Sequence, residues 1–471
     1  MKKIYLLLTS IVISSAGVAQ TRYIDPIFTS VNVQNDVIYG TGRLESGSTQ
    51  DLRCDIYTPA GDTKTDRPLI IAGHGGSFIA DYGDKSDAYL IDFATLMAKK
   101  GYVVAAITYR EGWAFSPLNS QEQNARAVLP AVWRAIQDFK TSVRFFKKSA
   151  VEGGNPYGID PKLVIGGGFG AGGYLPLNGM LLDSPSDVML PELQQKDAFG
   201  DPNGIPYIDT NKVDLGGIYS TAGGSPGYSY RVELVLNYSG AIATLKEFDQ
   251  GENPLVISVH SEDDEATPYK SGTVKAASIF DVIDVHGSYV VTNELYNREI
   301  NNFWLPENRD GLPQAQIPDN TNGPIKMYER GLYTLLNQPY LWSNTVDVYT
   351  YNYSSPGSTP FMDTVTTFSA YRIEKWLREK KGIGIDEINF KTNDGSIKIF
   401  PNPASDKLTM VSIDPKERIR EVEFTDMNGK LVKHSIVIKD ADFDISSLSP
   451  GIYSVKIYLD NTVITDKIVV K

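Results

Sequence analysis

Short apolar runs alternate with helical patterns along most of the chain, and this alternation constrains its fold more than any other feature. Runs such as Pro68–Ala72 and Leu255–His260 have the length and composition of buried strands. Between such runs, apolar residues recur at three- and four-residue spacing, as over Ala131–Ser149, which predicts amphipathic helices. Strands that alternate with helices are typical of a mostly parallel sheet covered by helices. The sequence therefore predicts the α/β class for residues 20–381.

The later part of this region holds a predicted final strand and two long connections. Val346–Tyr351 is predicted as the last strand and Met362–Lys381 as the closing helix. Residues 182–230 and 288–342 are rich in Pro, Gly, Asn and Tyr and show little periodicity. In a βα fold, such connections usually lie over the carboxyl ends of the strands and shape a pocket or lid. Plain surface insertion is the alternative, and both interpretations stay open.

The amino terminus has the pattern of a secretory signal peptide. Lys2 and Lys3 precede the mostly apolar run Ile4–Ser14, and small residues follow it. This order predicts a signal peptide over residues 1–19, cleaved before Gln20. The apolar run is shorter than the roughly 20 residues that a membrane span requires. We therefore expect an exported chain with no transmembrane span in its mature form.

Composition narrows the classes of partner and cofactor. The net charge of -12 is spread along the chain, whereas nucleic-acid binding requires a basic patch, so no nucleic-acid partner is expected. Cys54 is the one cysteine, which excludes an intrachain disulfide, and its alternating surroundings predict a strand with a buried thiol. The sequence shows no cluster with metal-ligand spacing and no clear cofactor motif, so we expect neither a metal nor a cofactor.

The carboxyl-terminal residues have a different texture from the rest of the chain. After a linker over residues 382–396, short alternating strands broken by Pro, Asn, Asp and Gly predict a small all-β sandwich domain over residues 397–471. The blocks Ile397–Ala404, Asp426–Lys430 and Leu448–Tyr453 closely resemble the C-terminal sorting domain of the type IX secretion system of Bacteroidetes. This resemblance implies recognition by the type IX secretion machinery, and a protein that is secreted or held at the outer-membrane surface.

Two glycine-rich loops follow predicted strands of the α/β region. His74-Gly75-Gly76 follows the strand predicted over Pro68–Ala72. The second loop, Gly168-Phe169-Gly170-Ala171-Gly172-Gly173, lies between a later strand and a helix. This order of elements resembles the carboxylesterase and lipase branch of the α/β-hydrolases over roughly residues 40–381. The resemblance implies an oxyanion hole formed by the backbone amides of Gly75, Gly76 and Ala171.

The resemblance also locates the nucleophile position, and there the chain departs from the family. The family pattern G-x-S-A-G-G has serine where this chain has Gly170. Glycine has no side chain, so it can neither attack a carbonyl carbon nor form an acyl intermediate. An alternative reading of the turn is a phosphate site at a helix N-terminus.

The acid position follows a later strand. The segment Leu255–Tyr269 looks like the family loop H-G-x-x-D-x-x-V-P-Y, which places Asp264 in the acid role and makes Asp263 the less favoured choice. In this alignment His260 is the strand-end histidine of the loop, which is not the catalytic base. An ordinary exposed acidic loop is the alternative interpretation.

The base position is the second departure from the family pattern. The family histidine lies just before the closing helix, where this chain has Ser358. A serine hydroxyl cannot accept a proton near neutral pH as an imidazole does. His286 follows Asp264 by 22 positions and is the alternative, as a displaced base.

Three hypotheses about function follow. The first is a secreted, catalytically inactive carboxylesterase-like protein that retains a pocket for a small ester, acyl or glycan ligand. The second is an active ester hydrolase with an unrecognised nucleophile, such as Ser77 or Ser239. The third is a structural surface protein without a ligand.

Overall fold

A computed structural model of the chain describes residues 22–249, 253–304, 332–335, 358–381, 389–392, 396–412, 419, 421–426, 431–436, 442–459 and 462–471. The predicted signal peptide and the predicted strand Val346–Tyr351 lie outside these residues. Within the described part, contacts divide the chain into two compact units, Arg22–Glu374 and Lys375–Lys471. None of the described helices is long and apolar enough to cross a membrane.

The first unit alternates strands and helices, as its sequence pattern predicts. In chain order its elements are β1 (Val31–Arg43), β2 (Thr49–Pro59), β3 (Arg67–Gly73), α1 (Ala88–Lys99), β4 (Val103–Ile107), α2 (Gln121–Val151), β5 (Ile159–Phe169), α3 (Ala171–Leu181), β6 (Gln194–Lys196), β7 (Pro202–Pro206), β8 (Leu234–Tyr238), β9 (Leu255–Ser261), β10 (Ser271–Ala276), β11 (Phe280–His286), α4 (Ser288–Asn297), β12 (Leu332–Leu335) and α5 (Ser358–Lys381), which ends in the second unit.

Eight of these strands form one sheet in the order β1-β2-β4-β3-β5-β8-β9-β12. β2 runs antiparallel to β1 and β4, and all neighbours from β4 to β12 are parallel. Every residue of β3, β4 and β8 is buried, which explains their continuous apolar runs. This mostly parallel sheet confirms the predicted α/β class. It also brings the carboxyl ends of β3, β5, β8 and β9 to one edge, where the predicted site residues follow.

The longest helix begins earlier than its periodicity predicts. α2 starts at Gln121, ten residues before the predicted start, and runs for 31 residues with Pro130 inside it. A capping box begins it: the Ser120 hydroxyl accepts from the Gln123 amide, and the Gln123 side chain accepts from the Ser120 amide. The predicted start at Ala131 is therefore wrong, and Pro130 lies inside the helix.

The long connections contain more regular structure than the sequence predicts. The hairpin β6–β7 lies within residues 182–230, and α4 and β12 lie within residues 288–342. β12 pairs with β9 and is the described edge strand on that side of the sheet. The β10–β11 hairpin is likewise not predicted from the sequence, and its register runs from Ser271 opposite His286 to Ala276 opposite Phe280.

The second unit is built of strands apart from the end of α5. They are β13 (Asn389–Thr392), β14 (Ile397–Phe400), β15 (Lys407–Ser412), β16 (Glu421–Thr425), β17 (Leu431–Ile436), β18 (Asp442–Asp444), β19 (Gly451–Tyr458) and β20 (Thr462–Val470). They form a five-stranded sheet, β13-β20-β19-β16-β17, and a three-stranded sheet, β14-β15-β18. Leu408 and Val455, one from each sheet, belong to a single core. This arrangement agrees with the predicted β-sandwich.

Candidate active site

The glycine-rich segment Gly168–Gly173 forms a sharp turn between β5 and α3, called the elbow below. Gly170 caps the N-terminus of α3 with φ 53° and ψ -116°, a conformation that strains any residue with a Cβ. Its amide donates to the carbonyl of Tyr238, 2.8 Å away, which ties the turn to the end of β8. Gly170 also lines the cavity at this edge of the sheet. The strand–turn–helix geometry of a nucleophile elbow is therefore present without a side chain at its tip.

Steric contacts account for two other glycines of the elbow. A Cβ on Gly168 would lie 2.1 Å from the carbonyl oxygen of Gly172, and a Cβ on Gly172 would lie 2.2 Å from that of Gly73. The atoms in the way are backbone atoms, so only glycine permits this approach of α3 to β3 and β5. These glycines serve the packing of the fold whether or not the site is catalytic.

The loop after β3 differs in part from the expected oxyanion hole. Gly76 and Ala171 line the cavity, and Ala171 opens α3, where amides have no partner within the helix. The amide of Gly75, however, donates to the hydroxyl of Tyr89 at 2.7 Å, and Gly75 does not line the cavity. Two of the three predicted donors thus border the cavity, while the third is used inside the fold.

The loop that carries Asp264, the predicted acid position, follows β9; it is called the acid loop below. Asp264 lines the cavity, and its Oδ1 accepts from the amides of Ala266 and Thr267, both at 2.9 Å. Its side chain is 7% exposed. Asp263 does not line the cavity. The geometry therefore favours Asp264 over Asp263 for the acid position.

His260 lies beside Asp264, but both of its ring nitrogens contact groups in the interior of the fold. Its Nε2 lies 3.0 Å from the carbonyl oxygen of Thr267 and 3.4 Å from Oδ2 of Asp264, and its Nδ1 lies 2.8 Å from Oγ of Ser288. His260 and Ser288 are fully buried, and neither lines the cavity. Ser288 contacts His260, which in turn lies beside Asp264. A substrate in the cavity could not reach the Ser288 hydroxyl, however, because Ser288 does not line the cavity. His260 supports the acid loop, which agrees with its interpretation as a residue other than the base.

The other histidines of the chain also lie away from the cavity surface. His286 contacts Oγ of Ser271 through Nδ1 at 2.8 Å, and His74 is buried with its ring stacked on that of Tyr109. Burial lowers the pKa of His74. His434 belongs to the second unit. The structure describes all four histidines, and none of them lines this cavity.

The remaining predicted positions are two serines and the base position. Ser77 and Ser239 both line the cavity and both have positive φ, 53° and 58°. Oγ of Ser77 accepts from the amide of Ala277 at 3.0 Å. No described histidine donates to or accepts from either hydroxyl. Ser358 is the first residue of α5, and its side chain lies outside the described part.

The cavity is mostly apolar and extends between α2, α3 and the β10–β11 hairpin. The space between its lining residues is about 1200 Å³ when the open solvent at its mouth is counted. Its apolar wall comes mainly from helix α2 and strand β11, with Val128, Leu129, Val132, Ile136, Val282, Ile283 and Val285. Among the described residues, no group of three or more His, Cys, Asp and Glu side chains could hold a metal ion.

Two family models match parts of the chain. The BD-FAE model matches residues 54–188, and the model of the secretion system C-terminal sorting domain matches residues 398–471. No curated protein sequence matches the chain.

Three of the solved structures that are similar to the chain are distant from it in sequence. A truncated carbohydrate esterase from gut microbiota is 15% identical with a TM-score of 0.38, and the match covers 74% of this chain and all of the other. The propionate-bound esterase Est2 of the planctomycete Thermogutta terrifontis is 14% identical with a TM-score of 0.36, over 74% of this chain and 94% of the other. A bifunctional GH43-CE protein of Bacteroides eggerthii is 20% identical with a TM-score of 0.32, over 52% of this chain and 32% of the other.

The sheet order, the elbow and the two family models together define the class of protein. The chain carries an esterase-like α/β-hydrolase domain. A type IX secretion sorting domain follows it, which directs the protein outside the cell or to its surface. Both identifications confirm the resemblances found in the sequence.

Proposed function

We propose that the hydrolase domain is a catalytically inactive relative of carboxylesterases and acts outside the cell by binding a ligand. The observation that carries this proposal is Gly170, which occupies the tip of the elbow without a side chain. Acyl transfer by a triad requires an oxygen or sulfur nucleophile that forms a bond to the carbonyl carbon. At Gly170 no such bond can form.

The positions of the histidines support the same proposal. A serine nucleophile also needs a base that removes its proton, and loss of either member abolishes most triad catalysis. Ser358 at the base position leaves this role without an imidazole. His286, the alternative base, contacts Ser271 and does not line the cavity. Asp264 is then an acid with no histidine to orient.

An active hydrolase with another nucleophile is the second candidate. One observation favours it, since Ser77 and Ser239 line the cavity with the positive φ that is common at strained functional residues. Against it, no described histidine bonds to either hydroxyl, and the Ser77 hydroxyl already holds the β10–β11 hairpin through Ala277. The described histidines therefore give neither serine a base.

A retained pocket is the reason to expect binding. The cavity keeps an apolar wall, the residues Gly76 and Ala171 of the predicted oxyanion hole, and an acid at Asp264. Small-molecule sites are concave and mostly apolar, with a few polar groups that orient the ligand. A small ester, an acyl chain or a glycan with an apolar substituent fits these requirements.

The remaining predicted organisation belongs to the same proposal. We propose a signal peptide over residues 1–19, a hydrolase domain over 20–381, a linker over 382–396 and the sorting domain over 397–471. Part of the predicted linker is not a linker in the structure, because β13 (Asn389–Thr392) pairs with β20 and belongs to the sheet of the sorting domain. The sorting domain interacts with the secretion machinery. Its resemblance to sorting domains of Bacteroidetes supports an origin in that phylum.

The test of inactivity combines turnover with covalent labelling. The mature wild-type chain is assayed on p-nitrophenyl acetate and butyrate, and is separately treated with a fluorophosphonate and analysed by peptide mass spectrometry. We expect no turnover above buffer and no serine adduct. Turnover together with an adduct on Ser77 or Ser239, both lost in the corresponding alanine variant, would establish the second candidate instead.

A further inference from the structure

The cavity contains one buried charge. Of its described lining residues, only Asp264 and Lys275 are charged, and Lys275 is exposed, whereas the Asp264 side chain is 7% exposed. Among the described residues, no lysine or arginine lies within 4 Å of the Asp264 carboxylate. Its Oδ1 accepts two backbone amides, but the nearest side-chain donor to Oδ2 is His260, 3.4 Å away and engaged with Thr267.

In an active triad, the histidine base would face this acid and would become cationic during the reaction. The inference therefore rests on the proposed function, in which that base is missing. Burying a carboxylate with no lysine or arginine beside it costs free energy, so a ligand that supplies the opposite charge gains free energy there.

Aromatic side chains border the same space. The hydroxyls of Tyr174 and Thr267 lie 3.1 Å apart, which fixes the Tyr174 ring beside the acid loop. The ring of Phe78 meets that of Tyr174 edge to face, with centroids 6.3 Å apart, and Tyr82 also lines the cavity. Aromatic rings near a carboxylate are the groups that bind ammonium ions in proteins, because a cation is attracted to the ring face.

The N-terminus of α3 favours an anion instead of a cation, but its charge is smaller. A helix N-terminus carries roughly half a positive charge, which favours anions at Gly170 and Ala171. Among the described residues, no lysine or arginine lies within 4 Å of the Asp264 carboxylate to offset its charge. The carboxylate therefore determines which charge the cavity prefers.

We propose that the cavity binds an organic cation, an amine or quaternary ammonium group joined to an apolar body. The ammonium group contacts Asp264 and the ring of Tyr174. The apolar body lies against α2 and the β10–β11 hairpin, among residues such as Val132 and Ile283.

Three probes that share one apolar body test this proposal by calorimetry on the mature chain at pH 7. They are 4-phenylbutylamine, 4-phenylbutanol and 4-phenylbutanoate. We expect the amine to bind about tenfold more tightly than the alcohol, and the carboxylate to bind most weakly. In Asp264→Asn, whose amide oxygen can still accept the two backbone amides, the amine and the alcohol should bind within about twofold of each other. Asp263→Asn is the matched control and should keep the full preference.

The outcomes separate this inference from the proposed function. An amine that binds no better than the alcohol, an amine preference that survives Asp264→Asn, or no binding of any probe would overturn the inference. Tight binding of the alcohol or the carboxylate with no hydrolysis would leave an inactive ligand-binding protein in place. A thermal melt of each variant confirms that it is folded before its binding is compared.

Discussion

Nε2 of His260 lies 3.4 Å from Oδ2 of Asp264, yet the ring belongs to the interior of the fold and not to the cavity. Its other nitrogen lies 2.8 Å from Oγ of Ser288, which also accepts from the amide group of Asn237 at 3.1 Å. A histidine that is buried and bonded on both sides cannot turn toward a substrate. The histidine beside the acid therefore explains how the acid loop is held, and does not supply the base.

This relationship predicts a large difference between two serine–histidine contacts of equal length. Ser288→Ala should lower the free energy of unfolding by about 1–3 kcal/mol, because it leaves Nδ1 of the buried His260 without a partner and removes one of the acceptors of the Asn237 amide group. Ser271→Ala removes an exposed contact to His286, also of 2.8 Å, and should cost less than about 0.5 kcal/mol. Urea unfolding at pH 7 measures both. Equal losses in the two variants would show that the buried contact stabilises the fold no more than the exposed one.

The backbone at the elbow predicts the effect of adding a side chain there. Gly170→Ala should lower the free energy of unfolding by about 1–3 kcal/mol, since φ of 53° with ψ of -116° is unfavourable once a Cβ is present. Gly217→Ala is the control, because a Cβ there meets open space and φ is not in the left-handed region. If the two variants unfold at the same urea concentration, the elbow is not strained.

Close packing at Gly172, in the first turn of α3, predicts a larger loss of stability than at Gly170. In Gly172→Ala the new Cβ would lie 2.2 Å from the carbonyl oxygen of Gly73, and backbone cannot move aside without displacing β3. We expect a loss at the upper end of the roughly 1–3 kcal/mol that overpacking costs, or more, and greater than that of Gly170→Ala. The same urea series checks the order, and a smaller loss for Gly172→Ala would contradict the close approach of α3 and β3.

A buried lysine predicts how stability depends on pH. Lys140 is fully buried, with Nζ 4.4 Å from the ring centroid of Tyr230, and burial lowers its pKa from 10.5 to about 7. Between pH 7 and 10.5 the unfolded chain binds more protons at this residue than the folded chain does, so its contribution to stability rises with pH. Below pH 7 Lys140 is charged in the folded chain as well, so the full cost of burying that charge lowers the free energy of unfolding.

The matched pair Lys140→Met and Lys162→Met isolates this contribution. The stabilisation of Lys140→Met relative to wild type should be greatest at pH 6 and should shrink by pH 9.5, as followed by the melting temperature. Lys162 is exposed, so its replacement should give a difference that does not change with pH. A pH-independent difference for Lys140→Met as well would contradict the lowered pKa.

Local motifs predicted the parts of the site that depend on the order of elements. The glycine run around Gly170 and the loop around Asp264 each follow a strand of a parallel sheet, and the sheet brings both to one cavity. The helical periodicity over Ala131–Ser149 predicted α2, but its start at Gln121 and the capping box at Ser120 were not predicted.

What the sequence did not reveal depends on contacts between distant residues. Strands β10 and β11 alternate weakly, and their role as one wall of the cavity arises only from packing against α2 and from the contact of Ala277 with Ser77. The use of the Gly75 amide by Tyr89 is likewise a tertiary contact, since the hydroxyl comes from α1. No local pattern encodes either.

The most direct test of the central claim is hydrolysis of p-nitrophenyl butyrate by wild type, Gly170→Ser, Ser358→His and the double variant Gly170→Ser/Ser358→His. If the protein is inactive because it lacks both nucleophile and base, wild type and Ser358→His should stay at the buffer rate. Gly170→Ser should remain weak, and the double variant should exceed it by about 10² or more, the usual contribution of a positioned base. Hydrolysis by wild type at the rate of the double variant would contradict the account.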